Sequence, residues 1–347
     1  MTWLTWRQFR TQAVVAAVAL AAFAILLAAT GPHLASMYAA SGLSSCHGDS
    51  CQNLAGYFIY QLTADGYQPL YLVSIALILL APALIGIFWG APLIARELET
   101  GTSALAWNQS VTRTRWLAVK LTVGGLAALA VTEALCLMQT WWAAPLGRAA
   151  GDGAVSGPLT QGRFTQLIFA SHGITPLGYA AFAFTLGVTA GALIRRTIPA
   201  MALTLAIFAA IQVAMPLWIR PHFVPPHRTD ISIASPGYLA GEPGPGGGTF
   251  TFVATSVPGQ PGAWILSSGP VNAAGQPVGT TPAACIAQSI QPGSFPECLA
   301  SQGIREAITY QPASRYWPFQ WTEAAIYFAL AVVLAGYCFR RLNRRLC

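Results

Sequence analysis

The chain has 347 residues, of which 54% are hydrophobic and only 8% are charged, and its net charge at pH 7 is +7. Soluble domains are usually about a quarter charged, so this composition excludes an ordinary soluble protein. The basic residues form no run long enough for a nucleic-acid-binding patch, so we expect no nucleic-acid partner. The composition is typical of a protein embedded in membrane lipid.

Six apolar runs are long enough to cross a membrane, since about 18 or more predominantly apolar residues predict a membrane-spanning helix. They are, in chain order, Ala13–Thr30, Tyr71–Ile94, Trp116–Trp142, Pro176–Ile194, Ile198–Ile219 and Trp321–Phe339. We therefore predict an all-α polytopic membrane protein with six transmembrane helices.

The distribution of basic residues predicts the orientation. Twelve of the 18 basic residues lie at the two termini or in the loops on the same side of the spans, whereas the first loop on the other side, Gly31–Leu70, has no Lys or Arg. Cytoplasmic loops of membrane proteins are enriched in basic residues. We therefore expect a bacterial cytoplasmic membrane protein with both termini in the cytoplasm.

The segment before the first span is aromatic and basic. Trp3, Trp6 and Phe9 accompany Arg7 and Arg10. This pattern predicts an N-terminal interfacial helix that lies on the inner membrane surface with its aromatic side chains toward lipid. The alternative is a cleaved signal peptide, which the five following spans disfavour.

Four of the seven cysteines fall in the two long loops on the predicted outer side. Disulfides persist outside the cell and are rare inside it, so we predict the pairs Cys46–Cys51 and Cys285–Cys298. A metal site formed by Cys46, His47 and Cys51 is the alternative for the first pair. No further ligand pair accompanies these residues, and we predict no metal site.

The segment between the fifth and sixth spans is the longest region predicted outside the membrane. It is dense in Pro and Gly, which predicts a small, disulfide-stapled extracellular domain before the last helix. Thr249–Val257 and Trp264–Ser268 have the β-branched and aromatic residues typical of strands, and Phe295–Tyr310 is a candidate helix. The predicted divisions are residues 1–218 for the interfacial helix and five spans, 219–320 for the extracellular domain, and 321–347 for the last span and a basic cytoplasmic tail.

Motifs for catalysis are absent from the sequence. The one lysine, Lys120, is followed by Leu121 and so cannot be the lysine of a phosphate-binding loop. The chain also lacks His-Glu-x-x-His and Gly-x-Ser-x-Gly sequences. We therefore predict that the chain is not an enzyme and that any ATP hydrolysis takes place on another polypeptide.

Two polar residues of the third span are candidates for a translocation path. Glu133 is interpreted as the sole acidic residue inside a span, and intramembrane carboxylates are costly and often functional. The functional interpretation is proton coupling or contact with the substrate. The structural one is a hydrogen bond to Thr132, Gln139 or a neighbouring helix, or a water-facing position in a cleft. Gln139 itself lies nearer the outer end of the span, where it lines an exit path or anchors the interface.

Glycines spaced four residues apart occur at Gly86 and Gly90 in the second span and at Gly187 and Gly191 in the fourth. Such spacing permits close packing of membrane helices. In a chain this rich in Gly and Ala it also arises by chance, so the spacing alone does not predict which spans meet.

A compact charged patch, Arg96-Glu97-Leu98-Glu99-Thr100-Gly101-Thr102, follows the second span. By itself it could be a solvated loop. With the segment Ser103–Asn108, Thr112-Arg113 and Lys120 after it, however, it resembles the permease subunits of ABC type-2 transporters. Those subunits carry Glu-x-Gly-Thr after the second span, then a short cytoplasmic helix and basic residues opening the third. The six-span layout is similar too, except that about 100 residues stand before the last span in place of the family's short re-entrant hairpin.

The resemblance implies a homodimer or heterodimer of permease subunits with separate ABC ATPase subunits docked on its cytoplasmic side. The permease chain binds no cofactor in this scheme, and ATP and Mg bind to the ATPase. The coupling loop is residues 95–115, and Ser103–Asn108 acts as a lever within it. The residues implied for coupling are Arg96, Glu97, Glu99, Gly101, Thr102, Leu105, Trp107 and Arg113.

Within that set, Leu105 and Trp107 are the expected apolar anchors, and Glu97 and Glu99 are expected to make polar contacts at the start of the lever. Arg113 is expected to hold the base of the third span. The implied function is the membrane-spanning subunit of an ATP-driven exporter of an unidentified substrate. Two alternatives are a proton-coupled secondary transporter that uses Glu133, and a non-transporting sensor or immunity protein whose outer domain binds an extracellular ligand.

Overall fold

The computed structural model describes residues 2–46, 50–101, 112–152, 163–235, 239–243, 248–288 and 294–344. Its α-helices are α1 (Thr2–Ala40), α2 (Ser50–Ala64), α3 (Tyr67–Ile85), α4 (Ala91–Glu99), α5 (Arg113–Trp142), α6 (Ala144–Asp152), α7 (Gln166–Ser171), α8 (Thr175–Ile194), α9 (Thr197–Ala214), α10 (Ser294–Ser301) and α11 (Tyr316–Arg344). A π-helical turn, Gly86–Gly90, joins α3 to α4, and a second, Met215–Ile219, extends α9.

All six predicted spans are confirmed as helices long and apolar enough to cross a membrane. In the structure they are Arg10–Ala40, Tyr67–Glu99, Thr114–Trp142, Thr175–Ile194, Thr197–His222 and Ala313–Arg341. The fourth span is the most buried of the six and packs against the second, third, fifth and sixth. It is therefore the centre of the helix bundle.

The first helix differs from the prediction. α1 runs from Thr2 to Ala40 without interruption, so residues 2–9 continue the helix of the first span instead of forming a separate interfacial helix. The physical reason is that neither proline nor glycine occurs before Gly31 to break the backbone hydrogen bonds. At about 1.5 Å per residue the helix is roughly 58 Å long, about twice the hydrocarbon thickness of a bilayer, so it extends beyond the lipid core.

The glycines of the second and fourth spans meet where these two helices cross. A β-carbon added at Gly187 would lie 2.2 Å from the carbonyl oxygen of Gly86, and one added at Gly191 would lie 2.5 Å from the carbonyl oxygen of Ala91. The two helices are thus in contact backbone to backbone. The glycine spacings therefore allow the second and fourth spans to pack closely, a pairing that the sequence did not predict.

The segment between the fifth and sixth spans folds into a small domain, here called the inserted domain (His227–Gln311). Its strands are β1 (His227–Ser232), β2 (Leu239–Pro243), β3 (Phe250–Ala254), β4 (Trp264–Val271) and β5 (Arg305–Gln311). An antiparallel sheet has the order β1-β5-β4, and β2 and β3 form an antiparallel ribbon. The all-α prediction therefore holds for the spans but not for this domain.

Two of the three elements predicted in this domain are confirmed. The candidate strands within Thr249–Val257 and Trp264–Ser268 are β3 and β4. The predicted helix over Phe295–Tyr310 is wrong beyond Ser301, since residues 305–311 form the central strand of the sheet. Gly303, with a positive φ of 74°, ends the helix, and the chain then pairs with two strands that are distant in sequence.

The core of the inserted domain lies between the sheet and the ribbon. Alternate residues of β3 (Phe250, Phe252 and Ala254) are buried, and the two phenylalanines pack against Phe295 of α10. The predicted Cys285–Cys298 disulfide is confirmed, with the two Cα atoms 5.7 Å apart. It joins α10 to a 3₁₀ turn, Ala283–Gln288.

The first predicted disulfide is described only at one end. Cys46 is disulfide-bonded in the structure. The side chain of Cys51 lies outside the described residues, so the pairing of these two cysteines stays a prediction.

Replacing both Cys285 and Cys298 with serine is expected to lower the free energy of unfolding of the inserted domain by about 2–3 kcal/mol, because the bond removes chain entropy from the unfolded state. The measurement is hydrogen exchange of the β5 amides in the full-length protein, which should become faster. Cys136→Ser is the control, since Cys136 is a free buried thiol of the third span. Equal exchange in the double variant and the wild type would contradict the prediction.

Candidate functional site

The predicted coupling patch lies at the end of the bundle where α1 begins and where α4 and α11 end, here called the termini end. Arg96, Glu97 and Glu99 are in the last turns of α4, and Thr100 caps that helix by donating its amide and its hydroxyl to the carbonyl oxygen of Arg96, at 3.0 and 2.8 Å. Gly101 follows with a φ of 71°, a left-handed conformation that ends helices.

Four of the residues predicted for coupling are not described, in whole or in part. Thr102, Leu105 and Trp107 lie outside the described residues, as does the side chain of Arg113, whose backbone begins α5. Thr112 caps that helix, its hydroxyl accepting a hydrogen bond from the amide of Arg115 at 3.3 Å. The coupling role assigned to these residues stays a prediction.

Glu97 joins the second span to the third. Its carboxylate lies 2.5 Å from Nζ of Lys120, whose side chain is only 3% exposed. The lysine ammonium also donates to the carbonyl oxygen of Leu93 at 3.2 Å and lies 4.6 Å above the ring of Trp116. A buried ion pair of this kind holds its partners together, because separating them would leave a charge without a counterion.

Glu99 joins the second span to the fifth. Its carboxylate accepts hydrogen bonds from the backbone amide and the hydroxyl of Thr197, at 3.1 and 2.8 Å. Thr197 is the first residue of α9, so the carboxylate caps the positive end of that helix. Both acidic residues of the patch therefore bind neighbouring spans of their own chain, and the coupling role assigned to them stays a prediction.

With both carboxylates engaged, the termini end presents mainly positive charge. The exposed basic residues there are Arg10, Arg96, Arg115, Arg195, Arg196 and Arg340. Among the described residues of this end, the only acidic side chains are those of Glu97 and Glu99. A positive surface of this kind is typical of the cytoplasmic end of a membrane protein.

The two candidate residues of the translocation path are not brought together. Glu133 is partly buried and makes no hydrogen bond or ion pair with the described residues. Thr132, proposed as its partner, donates instead to the carbonyl oxygen of Ala128 at 2.9 Å. Gln139 is fully buried, and neither its amide nitrogen nor its amide oxygen has a described partner. Their assignment to a path stays a prediction.

The structure contains a buried ionic cluster that the sequence interpretation missed. Glu323 lies in the sixth span, so Glu133 is not the sole acidic residue inside a span, and that interpretation was wrong. Glu323 is 0% exposed and forms two hydrogen bonds with Arg220, which is 1% exposed, at 2.7 Å from Nε and 2.9 Å from Nη2. The hydroxyl of Tyr179 donates to the same carboxylate, and the guanidinium lies 4.2 Å above the ring of Phe169.

A second polar group, Gln320, completes the contact between the fourth and sixth spans. Its side-chain oxygen accepts hydrogen bonds from the amides of Ile174 and Thr175, both at 3.1 Å, and from the Thr175 hydroxyl at 2.6 Å. Its amide nitrogen donates to the carbonyl oxygens of Phe169 and His172 at 2.9 and 3.1 Å. One side chain thus satisfies two of the amides that lack an intrahelical partner at the start of α8.

A sequence signal for the ionic cluster did exist. Arg220 and Glu323 carry opposite charges and flank the inserted segment at the ends of the two apolar runs that border it. Intramembrane charges are expensive and usually pair with one another. Counting the charges at the edges of spans, and not only in their middles, would have identified Arg220 and Glu323 as candidates for pairing, although not with each other.

Comparison with known proteins places this architecture in a family. The profile of the family described as ABC-2 membrane transporter related matches residues 17–220, more than half of the chain. The match ends at Arg220, so the inserted domain and the sixth span lie beyond it. No curated protein and no solved structure matches the chain. With six membrane-spanning helices and this match together, the chain belongs to the ABC-2 membrane transporter related family.

Proposed function

We propose that the chain is the permease subunit of an ATP-driven ABC exporter, working with a separate ATPase and a second permease copy. The observation that carries the proposal is the family match over the first five spans, since ABC-2 permeases are the transmembrane subunits of such transporters. The one lysine of the chain supports a separate ATPase, because Lys120 is held between two spans by Glu97 and is unlike a phosphate-binding lysine.

The contacts at the termini end supply a mechanism for coupling. In the sequence, the predicted lever, Ser103–Asn108, stands between Glu99, which ends α4, and Arg113, which begins α5. At its start, Glu97 is tied to the third span and Glu99 to the fifth. A force applied to the lever would therefore reach three spans together. In this scheme Glu97 and Glu99 transmit the movement of the ATPase, while Leu105 and Trp107 bind it.

The proposed topology follows from charge. The exposed arginines of the termini end face the cytoplasm, and the inserted domain faces the outside of the cell. Substrate moves outward between two permease copies, whether identical or not. ATP and Mg bind to the ATPase subunits.

The test is co-purification of the tagged permease with the ATPase encoded next to it. Wild type should retain the ATPase in detergent, and Leu105→Asp with Trp107→Ala should lose most of it, since both changes remove apolar anchors. Val253→Asp is the matched control, because Val253 is an exposed apolar residue of the inserted domain. Full retention by the double variant would overturn the coupling assignment, and a wild type that binds no ATPase would overturn the proposed function.

A further inference from the structure

The inserted domain is attached to the bundle through two short chain segments, residues 221–226 and 312–315, here called the neck, and hydrogen bonds hold the two segments together. The chain enters the neck after Arg220, and it leaves the neck at the start of α11, the helix that contains Glu323. Within the neck, Nε2 of Gln311 donates to the carbonyl oxygen of Val224 at 2.7 Å. Arg315 donates to the carbonyl oxygen of Pro225 at 2.8 Å and to Oε1 of Gln311 at 2.6 Å.

Below these ties, an aromatic layer joins the domain to the bundle. Trp264 comes from β4, Phe319 from the sixth span, and Phe164 and Phe169 from the segment before the fourth span; all four are buried in one cluster. Phe164 is the centre of it, with ring centroids 5.6 Å from Trp264 and 5.2 Å from Phe319. A domain on a flexible tether would not share a hydrophobic core with the helices that carry it.

Besides the hydrogen bonds of the neck and the aromatic layer, a third set of contacts attaches the domain, and it lies inside the membrane-spanning region. An ion pair joins Arg220, the last residue before the neck, to Glu323 of α11. The carboxylate of Glu323 also accepts a hydrogen bond from Tyr179 of the fourth span. The ring of Tyr179 also packs edge-on against that of Tyr327, at 4.7 Å. The ion pair thus closes the neck at its base and fixes it to the fourth span.

The fourth span connects this attachment to the termini end. Near its other end, Gly187 and Gly191 are in backbone contact with the second span, which carries the predicted coupling patch. Because the two backbones are in direct contact, a displacement of one helix toward the other is passed on without an intervening side chain.

From these contacts we infer that the inserted domain is locked to the fourth and sixth spans and moves with them as one rigid body during transport, with Arg220 and Glu323 as the positioning residues of the lock. The inference about movement rests on the proposed ATP-driven function. The rigidity of the neck does not, and it can be tested on the permease alone.

The first experiment measures the rigidity of the neck. Spin labels on unnatural amino acids are placed at Gln260 of the inserted domain and Val333 of the sixth span, both exposed, and their distance distribution is recorded by pulsed EPR in spin-diluted protein. Wild type should give one narrow distribution. Arg220→Ala should at least double its width, because Glu323 is left as a buried charge without its partner.

Two controls keep this result interpretable. Arg228→Ala breaks an exposed ion pair with Asp230 in the same domain and should leave the width unchanged. The exchange Arg220→Glu with Glu323→Arg should restore the narrow distribution. Where Arg220→Ala fails to fold, Arg315→Ala replaces it, since that change removes the ties to Pro225 and Gln311 without leaving a buried charge. A wild-type distribution as wide as that of the variants would overturn the lock.

The second experiment tests the common movement. In the complex with the ATPase, the distance between Gln260 and Val333 should be the same with and without ATP. The distance from Gln260 to a label at Val18 of the first span should change, since Val18 is exposed and the first span is not among those that pack against the fourth. A change in the first distance on adding ATP would overturn the inference, whereas absence of the ATPase would overturn only the proposed function.

Discussion

Replacing Gly187 with leucine is expected to lower the free energy of unfolding by more than about 3 kcal/mol, so that little folded protein is recovered. A β-carbon at this position would lie 2.2 Å from the carbonyl oxygen of Gly86 and 2.8 Å from the amide nitrogen of Ala91. Both atoms belong to the backbone of a packed helix, so the second span would have to move away. That movement would also separate Glu97 and Glu99 from the spans that they hold.

Substitution of Gly187 by alanine tests the same helix contact with a smaller side chain. Gly187→Ala is expected to cost about 1–3 kcal/mol, whereas an alanine in a helix is otherwise favoured over glycine by about 0.5–1 kcal/mol. Gly336 of the sixth span supplies the control, because a β-carbon there would meet nothing within 4 Å, and Gly336→Ala should leave stability unchanged or raise it. The measurement is the thermal midpoint by size-exclusion chromatography in detergent. Opposite ranking of the two alanine variants would show that the helix contact has been misassigned.

Raising the pH from 5 to 8 is expected to destabilise the inserted domain by about 3 kcal/mol, because of one carboxyl group in its core. Glu306 is on the central strand β5, on the same face as Ile304 and Ile308, and it is 0% exposed. Among the described residues, neither carboxylate oxygen has a hydrogen-bond partner of good geometry. Burial raises the pKa of Glu306 from 4.5 to about 7, a shift that a contact with the Ser268 hydroxyl opposes only in part.

The direction of this pH dependence follows from proton binding by Glu306. The folded domain keeps the proton of Glu306 up to about pH 7, whereas the unfolded chain releases it near pH 4.5. The stabilisation is therefore fully present below about pH 4.5 and is lost as the pH rises through about 7. Glu306→Gln should remove this dependence and make the domain more stable than wild type at pH 8.

The pH prediction is checked by hydrogen exchange of the β5 amides in the full chain, corrected for the intrinsic effect of pH on exchange. Glu297→Gln is the matched control, since Glu297 is exposed on α10 of the same domain and its variant should keep the wild-type pH dependence. A wild-type domain with equal protection at pH 5 and pH 8 would rule out a buried, protonated Glu306.

The features predicted correctly from the sequence are those that depend on neighbouring residues along the chain. Each span satisfies its backbone hydrogen bonds within itself, so an apolar run such as Tyr71–Ile94 is enough to predict it. The Cys285–Cys298 bond could likewise be predicted from the sequence, because it closes a short loop. The separate interfacial helix is not confirmed, since α1 continues through residues 2–9. The aromatic and basic residues before Ala13 indicate where side chains prefer to lie, but not whether the backbone bends.

The features that the sequence interpretation missed join residues far apart in the chain. Glu99 caps a helix that begins at Thr197, and Arg220 pairs with Glu323 across the whole inserted domain. No periodicity or spacing predicts which of several charges will meet. The same holds for Glu306, whose burial depends on the register of β5 between β1 and β4.

By itself, then, the sequence determined six membrane-spanning helices, the basic character of one end of the bundle, and the resemblance to ABC type-2 permeases. Only the tertiary structure decided that the acidic residues of the charged patch hold the second span to the third and fifth, and that the inserted domain is fastened to the fourth and sixth. The physical reason is that hydrophobicity and backbone hydrogen bonding act along a single segment, whereas a buried charge is tolerated only where folding brings its partner to it.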